Sequence, residues 1–246
     1  MVYFFKVFCP SRAEVRCNKE RKIVKRLKVS NNVIRRLPRY LRKLDELNAQ
    51  GVTRISSGEL GKQLGLTPSQ IRQDFSSFGD FGQQGYGYNV LALRKEIATI
   101  LGMDRGMRAI LIGVGNIGSA LINNFEFSNC GFTLDCAFDV KPALVGTAVN
   151  GIPVHAVTDL KDYIASHQVD AAVLCVPKGI AVKMTEELES YGIQAIWNFT
   201  NVEITEPNSS MLVENMHFSD SLLALSYYIS DRRDETAARQ HRTGRE

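Results

Sequence analysis

The residues with the clearest chemical signature are the three glycines of residues 113–118, which read Gly-Val-Gly-Asn-Ile-Gly. This stretch follows an apolar run, 109–112, and precedes a helical pattern at 119–127. At this spacing the first glycine permits a tight turn, the second lets the backbone approach a pyrophosphate, and the third lets helix and strand pack closely. The helix N-terminus adds amides that favour an anion. The pattern predicts dinucleotide binding by Gly113, Val114, Gly115, Asn116, Ile117 and Gly118.

An acidic residue completes this fingerprint. Asp139 lies 21 positions after Gly118 and ends the second apolar run, 133–138. A carboxylate at the end of that strand can bind both hydroxyls of a ribose, and it would repel a 2′-phosphate. The sequence therefore favours NADH and NAD+ over NADP(H), although the nearby Lys141 weakens that preference.

The sequence offers no convincing set of residues for hydride-transfer catalysis. A dehydrogenase needs a general acid or base beside the nicotinamide and a site for its substrate. The histidines, at positions 155, 167, 217 and 241, have no obvious catalytic partner, and no Tyr-x-x-x-Lys motif is present. The stretch after residue 214 is also too short for a substrate domain. We therefore expect no catalytic residue, and a dinucleotide that acts as a signal.

Charge is divided unevenly along the chain. Residues 1–106 carry 20 Lys and Arg against 9 Asp and Glu, whereas the remainder carries 10 against 17. A basic module suggests contact with a polyanion such as nucleic acid, although chance segregation of charge is the alternative. The five cysteines form no CxxC pair, which favours reduced thiols, no metal site and a cytoplasmic protein. The apolar runs are too short to span a membrane.

The basic part has the pattern of a winged helix. An amphipathic helix is predicted from residue 31 to about 51, and two short helices follow, one capped by Ser56 and one by Thr67 with Pro68 in its first position. Two capped helices separated by a glycine turn are typical of a helix-turn-helix. The glycines and aromatic residues of 79–88 then predict a wing.

The acidic part has the pattern of a parallel sheet. Runs that are apolar on both faces, at 109–112, 133–138, 171–176 and 193–199, alternate with helical stretches. Residues 151–154 are interpreted as a loop. The predicted organisation is α/β, with a disordered or loosely attached extension (1–29), an N-terminal winged-helix domain (30–106), a Rossmann-type doubly wound parallel sheet (107–216), a C-terminal helix (217–230) and a charged tail (231–246).

A set of stretches from about residue 29 to residue 229 occurs in the order found in one known family. They are 33–42, 55–57, 70–76, 78–79, 85–88, 113–118, 137–140, 151–154, 176–177, 198–199 and 225–228. In these stretches the chain resembles the Rex redox-sensing transcriptional repressors. The resemblance implies a homodimer in which the C-terminal helix is domain-swapped onto its partner, and which leaves operator DNA when NADH binds, with NAD+ as a weaker competitor. It adds Val176, Pro177, Asn198 and Phe218 to the cofactor-binding residues.

The resemblance also implies that the third helix enters the major groove of an inverted-repeat operator, one half-site per subunit. On this helix the candidates for base and phosphate contacts are Ser69, Gln70, Arg72, Gln73 and Ser76. On the first helix and the wing, the candidates for backbone or minor-groove contacts are Arg39, Arg42, Gln83, Gln84 and Tyr86.

The chain departs from the family at several positions. Gln73 stands where members often have lysine. Some members couple redox state to DNA through an Arg, Tyr and Asp set that corresponds to Arg42, Asn124 and His217 here, so only the arginine is kept. We therefore do not expect that switch in the same form.

Two other functions agree with parts of the sequence. A small NAD-dependent oxidoreductase with a basic N-terminal domain would use the same glycine stretch, and turnover of a substrate would identify it. A CoA- or nucleotide-binding scaffold protein would bind adenine nucleotides but not NADH.

Overall fold

The computed structural model describes residues 29–78, 86–205 and 210–243. The chain divides into two compact units between Arg94 and Lys95. The sequence places the domain boundary at residue 106, and the domain limits stay a prediction. The predicted extension up to residue 28 and the wing residues 79–85 lie outside the described residues. No helix within the described ranges is long and apolar enough to cross a membrane.

The first unit is built from helices and a short antiparallel ladder. Its elements are α1 (Asn31–Ala49), β1 (Arg54–Ile55), α2 (Ser57–Leu64), α3 (Pro68–Ser76) and β2 (Tyr88–Asn89), followed by α4 (Val90–Ile100), in which the division between the units falls. Strands β1 and β2 pair with each other.

The capping signals of the sequence act as predicted in α2 and α3. Ser56 Oγ accepts a hydrogen bond from the Glu59 amide at 3.0 Å, and Thr67 Oγ1 accepts one from the Gln70 amide at 3.2 Å. Pro68 occupies the first position of α3, where its missing amide hydrogen costs nothing. The predicted pair of capped helices is confirmed.

The second unit is a seven-stranded sheet with helices on both faces. Its elements are β3 (Met107–Ile112), α5 (Asn116–Asn124), a 3-10 helix (Phe127–Cys130), β4 (Phe132–Asp139), β5 (Ala148–Val149), β6 (Ile152–Ala156), a 3-10 helix (Val157–Asp159), α6 (Leu160–Ser166), β7 (Ala171–Leu174), α7 (Lys178–Ser190), β8 (Ala195–Asn198), β9 (Leu212–Asn215) and α8 (Phe218–Thr243). The strand order is β5-β6-β4-β3-β7-β8-β9, and all neighbours are parallel except β5 and β6.

Alternate residues of the central strands enter two different cores. Ile110 and Ile112 of β3 pack in the core that contains residues of α6 and α7, whereas Ala109 and Leu111 pack in the core that contains Ile122 of α5. Because successive side chains of a strand point to opposite faces, both faces of the sheet are covered. The predicted doubly wound sheet is confirmed, and its order reverses between β3 and β7, where such folds bind ligands.

Three elements differ from their predicted limits. Helix α5 begins at Asn116 rather than at residue 119, because Gly115 is its N-cap and the last glycine of the motif belongs to its first turn. Residues 152–156 form a strand rather than a loop, because pairing with β4 and β5 satisfies their backbone groups. Helix α8 continues to Thr243 instead of ending at residue 230, since the arginine, glutamate and alanine residues there are good helix formers.

Candidate functional site

The glycine loop between β3 and α5 lies where the strand order reverses. Gly113 has a φ of +96°, and a Cβ at this position would lie 2.7 Å from the Cys175 carbonyl oxygen, just after β7. A Cβ on Gly118 would collide with the carbonyl of Gly113. A Cβ on Gly115 would meet nothing within 4 Å. The fold itself requires the outer two glycines, whereas the middle one faces open space and leaves it free for a ligand.

Asp139 connects the end of β4 to this loop. It is only 6% exposed. Its Oδ2 accepts a hydrogen bond from the Val114 amide at 2.6 Å, and its Oδ1 accepts one from the Lys141 amide at 2.8 Å. A carboxylate oxygen accepts two hydrogen bonds, so each oxygen keeps acceptor capacity. Asp139 therefore both shapes the glycine loop and remains able to accept hydrogen bonds from a ribose.

A pocket of about 380 Å³ lies beside Asp139. Its lining is mostly apolar and comes from the segments that follow β4 and end β6, namely Asp139, Val140, Pro142, Val145, Ala156, Val157 and Thr158. An apolar slot with one charged group at its edge suits a flat heteroaromatic ring. Apart from Asp139 the sequence does not mark these residues as ligand-binding, because the pocket exists only where the segment after β4 meets the end of β6.

The other predicted cofactor residues have different environments. Val176 is buried, and Pro177 is the N-cap of α7, so both follow β7 beside the segment that Gly113 contacts. Phe218 begins α8 with 62% of its surface exposed, and its ring centroid lies 6.2 Å from that of the buried Phe199.

Asn198 is buried and has no hydrogen-bonding capacity left for a ligand. Its Nδ2 donates to the Val202 carbonyl at 2.8 Å and to Asn215 Oδ1 at 2.7 Å. Its Oδ1 accepts from both the amide and the hydroxyl of Thr200. In this structure the Asn198 side chain supports the end of β8, and a cofactor contact by this residue stays a prediction.

Hydrogen bonds also connect Asn198 to the residues just before α8. Asn215 Nδ2 donates to Glu203 Oε1 at 3.2 Å, and the other carboxylate oxygen of Glu203 lies 2.6 Å from His217 Nε2. A continuous hydrogen-bonded chain therefore runs from Asn198 to His217. Neither Glu203 nor Asn215 was marked by any pattern in the sequence, because the chain exists only once β8, β9 and α8 are assembled.

In the first unit a buried aspartate holds α3 against α1. Asp74 is 2% exposed; its two oxygens accept from Nε and Nη2 of Arg36, both at 2.7 Å, and from the Tyr40 hydroxyl at 2.6 Å. The hydrogen bond to Asp74 raises the pKa of Arg36. Burial and the same carboxylate raise the pKa of Tyr40. The sequence did not reveal this group, whose only signal is an acid on the apolar face of α3.

The outward face of α3 brings the predicted DNA-contacting residues together. Ser69, Arg72, Gln73 and Ser76 are exposed, and Gln70 is partly exposed. Arg72 Nη1 donates to Ser57 Oγ at the start of α2. Arg39 on α1 donates to the Leu64 carbonyl at the end of α2, and Arg42 is exposed. Tyr86 is 70% exposed, whereas Gln83 and Gln84 lie outside the described residues.

Thiol and metal chemistry have no support in the described part of the chain. Burial raises the pKa of Cys136 to about 11 and that of Cys175 to about 12, which makes both poor nucleophiles. Cys130 is exposed. No group of three His, Cys, Asp or Glu residues among the described residues is placed to hold a metal ion.

Comparison with known proteins gives matches to both units. The model of a putative DNA-binding protein N-terminus matches residues 28–76, and that of a CoA binding domain matches residues 104–202. A protein of Clostridium beijerinckii named redox-sensing transcriptional repressor Rex is 45% identical over 203 residues, covering 82% of this chain and 96% of that one. Its namesake in Clostridium tetani is 44% identical over 210 residues, covering 85% and 99%.

Solved structures agree with this grouping. RSP in complex with β-NAD+ and operator DNA has a TM-score of 0.78 and 43% identity, covering 87% of this chain and 98% of that chain. RSP in complex with β-NADH has a TM-score of 0.79 and 41% identity, covering 85% and 98%. RSP is described as a Rex-family repressor, and the curated relatives are transcriptional repressors rather than enzymes. With this identity over nearly the whole length of its relatives, the chain belongs to the Rex family of redox-sensing transcriptional repressors.

Proposed function

We propose that this protein is a repressor that binds an inverted-repeat operator through its first unit and leaves it when NADH occupies its second unit. The observation that carries the proposal is the unobstructed face of Gly115 beside Asp139 and the apolar pocket. A site of this kind, in one chain with a helical unit that has polar residues on α3, suits a ligand-controlled DNA-binding protein. RSP, which has been solved with operator DNA and with NADH, supports this assignment.

The nucleotide site divides naturally into three parts. The amides at the start of α5, next to Gly115, would bind the pyrophosphate. Asp139 would accept hydrogen bonds from the ribose hydroxyls, and its negative charge disfavours a 2′-phosphate. The pocket lined by Val140, Val145 and Val157 would hold the adenine. NADH and NAD+ are thus the expected ligands.

The DNA site centres on α3. Its exposed residues Ser69, Arg72, Gln73 and Ser76 would lie in the major groove, where Arg72 is the strongest candidate for a guanine or phosphate contact. Arg39 and Arg42 on α1 and Tyr86 near the wing would contact the backbone or the minor groove. A protein that works on operator DNA acts in the bacterial cytoplasm, which is the compartment we propose.

A swapped homodimer accounts for the surface of α8. The helix has 26 residues and is therefore about 39 Å long at 1.5 Å per residue. Its large apolar side chains are 45–67% exposed, a surface that monomeric proteins rarely leave uncovered. They are Phe218, Leu222, Leu223, Leu225, Tyr227, Tyr228 and Ile229. We propose that each α8 packs on the partner subunit, so that one dimer presents two α3 helices to two half-sites.

The switch is a shift between two populations, one that binds DNA and one that binds NADH more tightly. Some family members use a Tyr and Asp pair where this chain has Asn124 and His217. Here Asn124 donates to the Ala120 carbonyl in its own helix, and His217 is hydrogen-bonded to Glu203. We propose that the hydrogen bonds from Asn198 to His217 take the place of that Tyr and Asp pair in this chain, because they join the end of β8 to the helix that would contact the partner.

The test is a fluorescence anisotropy titration of an inverted-repeat duplex at fixed salt, without cofactor, with NAD+, with NADH and with CoA. A scrambled duplex of the same length measures binding to phosphates alone. Specific binding that survives NAD+ and is lost at micromolar NADH is the expected result. Specific binding that ignores NADH, or none at all, would turn attention to the oxidoreductase alternative, and a response to CoA alone to the scaffold alternative.

A further inference from the structure

An arginine that the sequence pattern did not mark lies in the β1–β2 ladder, which we call the base of the wing because β2 follows the residues predicted to form the wing. Arg54 forms β1 together with Ile55, and in the ladder with β2 Arg54 is opposite Asn89 while Ile55 is opposite Tyr88. Ile55 is buried in the core of the unit, so the neighbouring Arg54 points toward solvent. The arginine is thus held on a fixed backbone with its side chain outside.

The exposed Tyr86 lies against this arginine. Arg54 Nη1 donates to the Tyr86 carbonyl oxygen at 2.9 Å, and the guanidinium carbon is 6.0 Å from the centroid of the Tyr86 ring. Gly87, which follows, has a φ of +66°, and a Cβ there would lie 2.6 Å from the Ile55 carbonyl oxygen. The glycine therefore lets the chain entering β2 come close enough for Tyr86 to cover Arg54.

The charge of Arg54 is not used inside the described part of the protein. A guanidinium has five N–H donors, and the Tyr86 carbonyl takes one of them. The ion pairs of the described residues pair other arginines with carboxylates, Arg36 with Asp74 and Arg94 with Asp45, and none includes Arg54. The planar guanidinium keeps free N–H donors whose spacing matches two oxygens of a phosphate, and it lies beside an aromatic ring.

Arg54 also belongs to the same surface as the predicted recognition helix. Ser57, three residues after Arg54, accepts the hydrogen bond from Arg72 of α3 at 3.0 Å. The segment 54–57 therefore lies between the wing base and α3. A duplex placed against α3 would bring its backbone to this segment.

We propose that Arg54, supported by Tyr86, binds a DNA backbone phosphate at the base of the wing. The proposal rests on the proposed function and adds to it a binding residue outside α3. A phosphodiester is the favoured ligand because the part of the chain up to residue 106 is strongly basic, and a polyanion is what such a surface attracts.

The test compares the wild-type protein with Arg54→Ala and Arg54→Lys, and with Lys161→Ala as a charge-matched control on the exposed surface of α6 in the second unit. Affinity for the inverted-repeat and scrambled duplexes is measured without cofactor over a range of salt concentrations. For Arg54→Ala we expect weaker binding of both duplexes, by about tenfold, and a salt dependence of the logarithm of affinity that is shallower by about 0.9. Arg54→Lys keeps the charge, so its salt dependence should stay near that of wild type while its affinity is intermediate. Lys161→Ala should match wild type in both.

The outcomes separate the two proposals. If wild type fails to bind the inverted repeat specifically, the proposed function fails and this inference with it. If wild type binds but Arg54→Ala keeps the full salt dependence, the phosphate contact is wrong even where affinity falls, because a purely positioning residue weakens binding without releasing fewer counterions. The thermal unfolding midpoints of all variants show whether each one is folded. If Arg54→Ala does not fold, Arg54→Lys carries the test. A folded Arg54→Lys protein that has lost all DNA affinity would contradict the proposal.

Discussion

Each unit of this protein uses a buried aspartate to position its functional element, but the two aspartates are built differently. Asp74 is enclosed by side chains, the guanidinium of Arg36 and the hydroxyl of Tyr40. Asp139 is held by two backbone amides, those of Val114 and Lys141, and lies at the edge of a pocket. Both carboxylates are almost fully buried, so neither is a surface charge.

Asp74 is structural, whereas Asp139 is available to a ligand. The partners of Asp74 neutralise its charge and enclose it, so its effect on DNA binding is limited to holding α3 on α1. Asp139 keeps its charge uncompensated by any side-chain cation among the ion pairs of the described residues, and each oxygen has acceptor capacity. We therefore expect substitutions of Asp74 to change stability and substitutions of Asp139 to change ligand binding.

The largest expected effect is that of Asp74→Asn. The substitution leaves Arg36 without its counter-charge, and breaking a buried ion pair costs about 3 kcal/mol. Denaturant unfolding should show this loss in the first unit, while NADH binding by the second unit is retained. Tyr40→Phe, which removes one hydrogen bond of the same group, should cost about 1 kcal/mol. A free energy of unfolding equal to that of wild type in Asp74→Asn would mean that this cluster does not hold α3.

The glycine loop offers a matched pair of variants. Gly118→Ala forces a methyl group against the Gly113 carbonyl and should destabilise the second unit by about 2 kcal/mol. Gly115→Ala meets no protein atom, so its stability should stay within about 0.5 kcal/mol of wild type. Its methyl group would occupy the space of the pyrophosphate, and NADH affinity should fall by roughly a hundredfold, about 2.7 kcal/mol. Calorimetric titration and thermal unfolding of both variants test the contrast, which fails if Gly115→Ala binds NADH normally.

Asp139→Asn tests the ligand-facing role, with the thermal unfolding midpoint as the check that the loop held through the Val114 and Lys141 amides stays folded. The amide keeps the size of the side chain but loses the charge and one acceptor, and a hydrogen bond to a charged group contributes about 1.5 kcal/mol. NADH affinity should fall about tenfold, and the preference for NADH over NADPH should narrow, because the repulsion of the 2′-phosphate is removed. Fluorescence titrations with both nucleotides measure this. An unchanged preference would show that another residue excludes the phosphate.

The smallest expected effect is a gain in DNA affinity at low salt. Gln73→Lys places a positive charge on the exposed face of α3, at a position where the family resemblance implies a lysine, and should steepen the salt dependence of DNA binding by about 0.9. Gln194→Lys, at an exposed position of the second unit, is the control for net charge. Equal effects of the two substitutions would argue against a phosphate near Gln73.

Sequence patterns predicted the structural features that depend only on residues close together in the chain. The caps at Ser56 and Thr67 and the glycine spacing at 113–118 act locally, and the structure has them as predicted. Asp139 was found because its distance from the glycines is set by one helix and the strand that follows it.

The features that were missed depend on packing between distant segments. Asp74 binds residues 34 and 38 positions away, and the network from Asn198 to His217 needs three elements in place. The pocket beside Asp139 needs the segment after β4 and the end of β6 to meet, and residues 151–154 contain Pro153, which is tolerated near a sheet edge such as the β5–β6 pair. The side-chain partners of Asn198 likewise depend on segments that meet only in the fold, Val202 and Asn215.

The most direct test of the central claim, that NADH bound at the glycine loop releases DNA held by α3, compares wild type and Gly115→Ala in one experiment. Each protein is first bound to a labelled inverted-repeat duplex, and NADH is then added while anisotropy is recorded at constant salt. We predict that wild type releases the duplex at micromolar NADH, whereas Gly115→Ala, with unchanged DNA affinity, stays bound until NADH is roughly a hundredfold higher. Release of both proteins at the same NADH concentration would contradict the account.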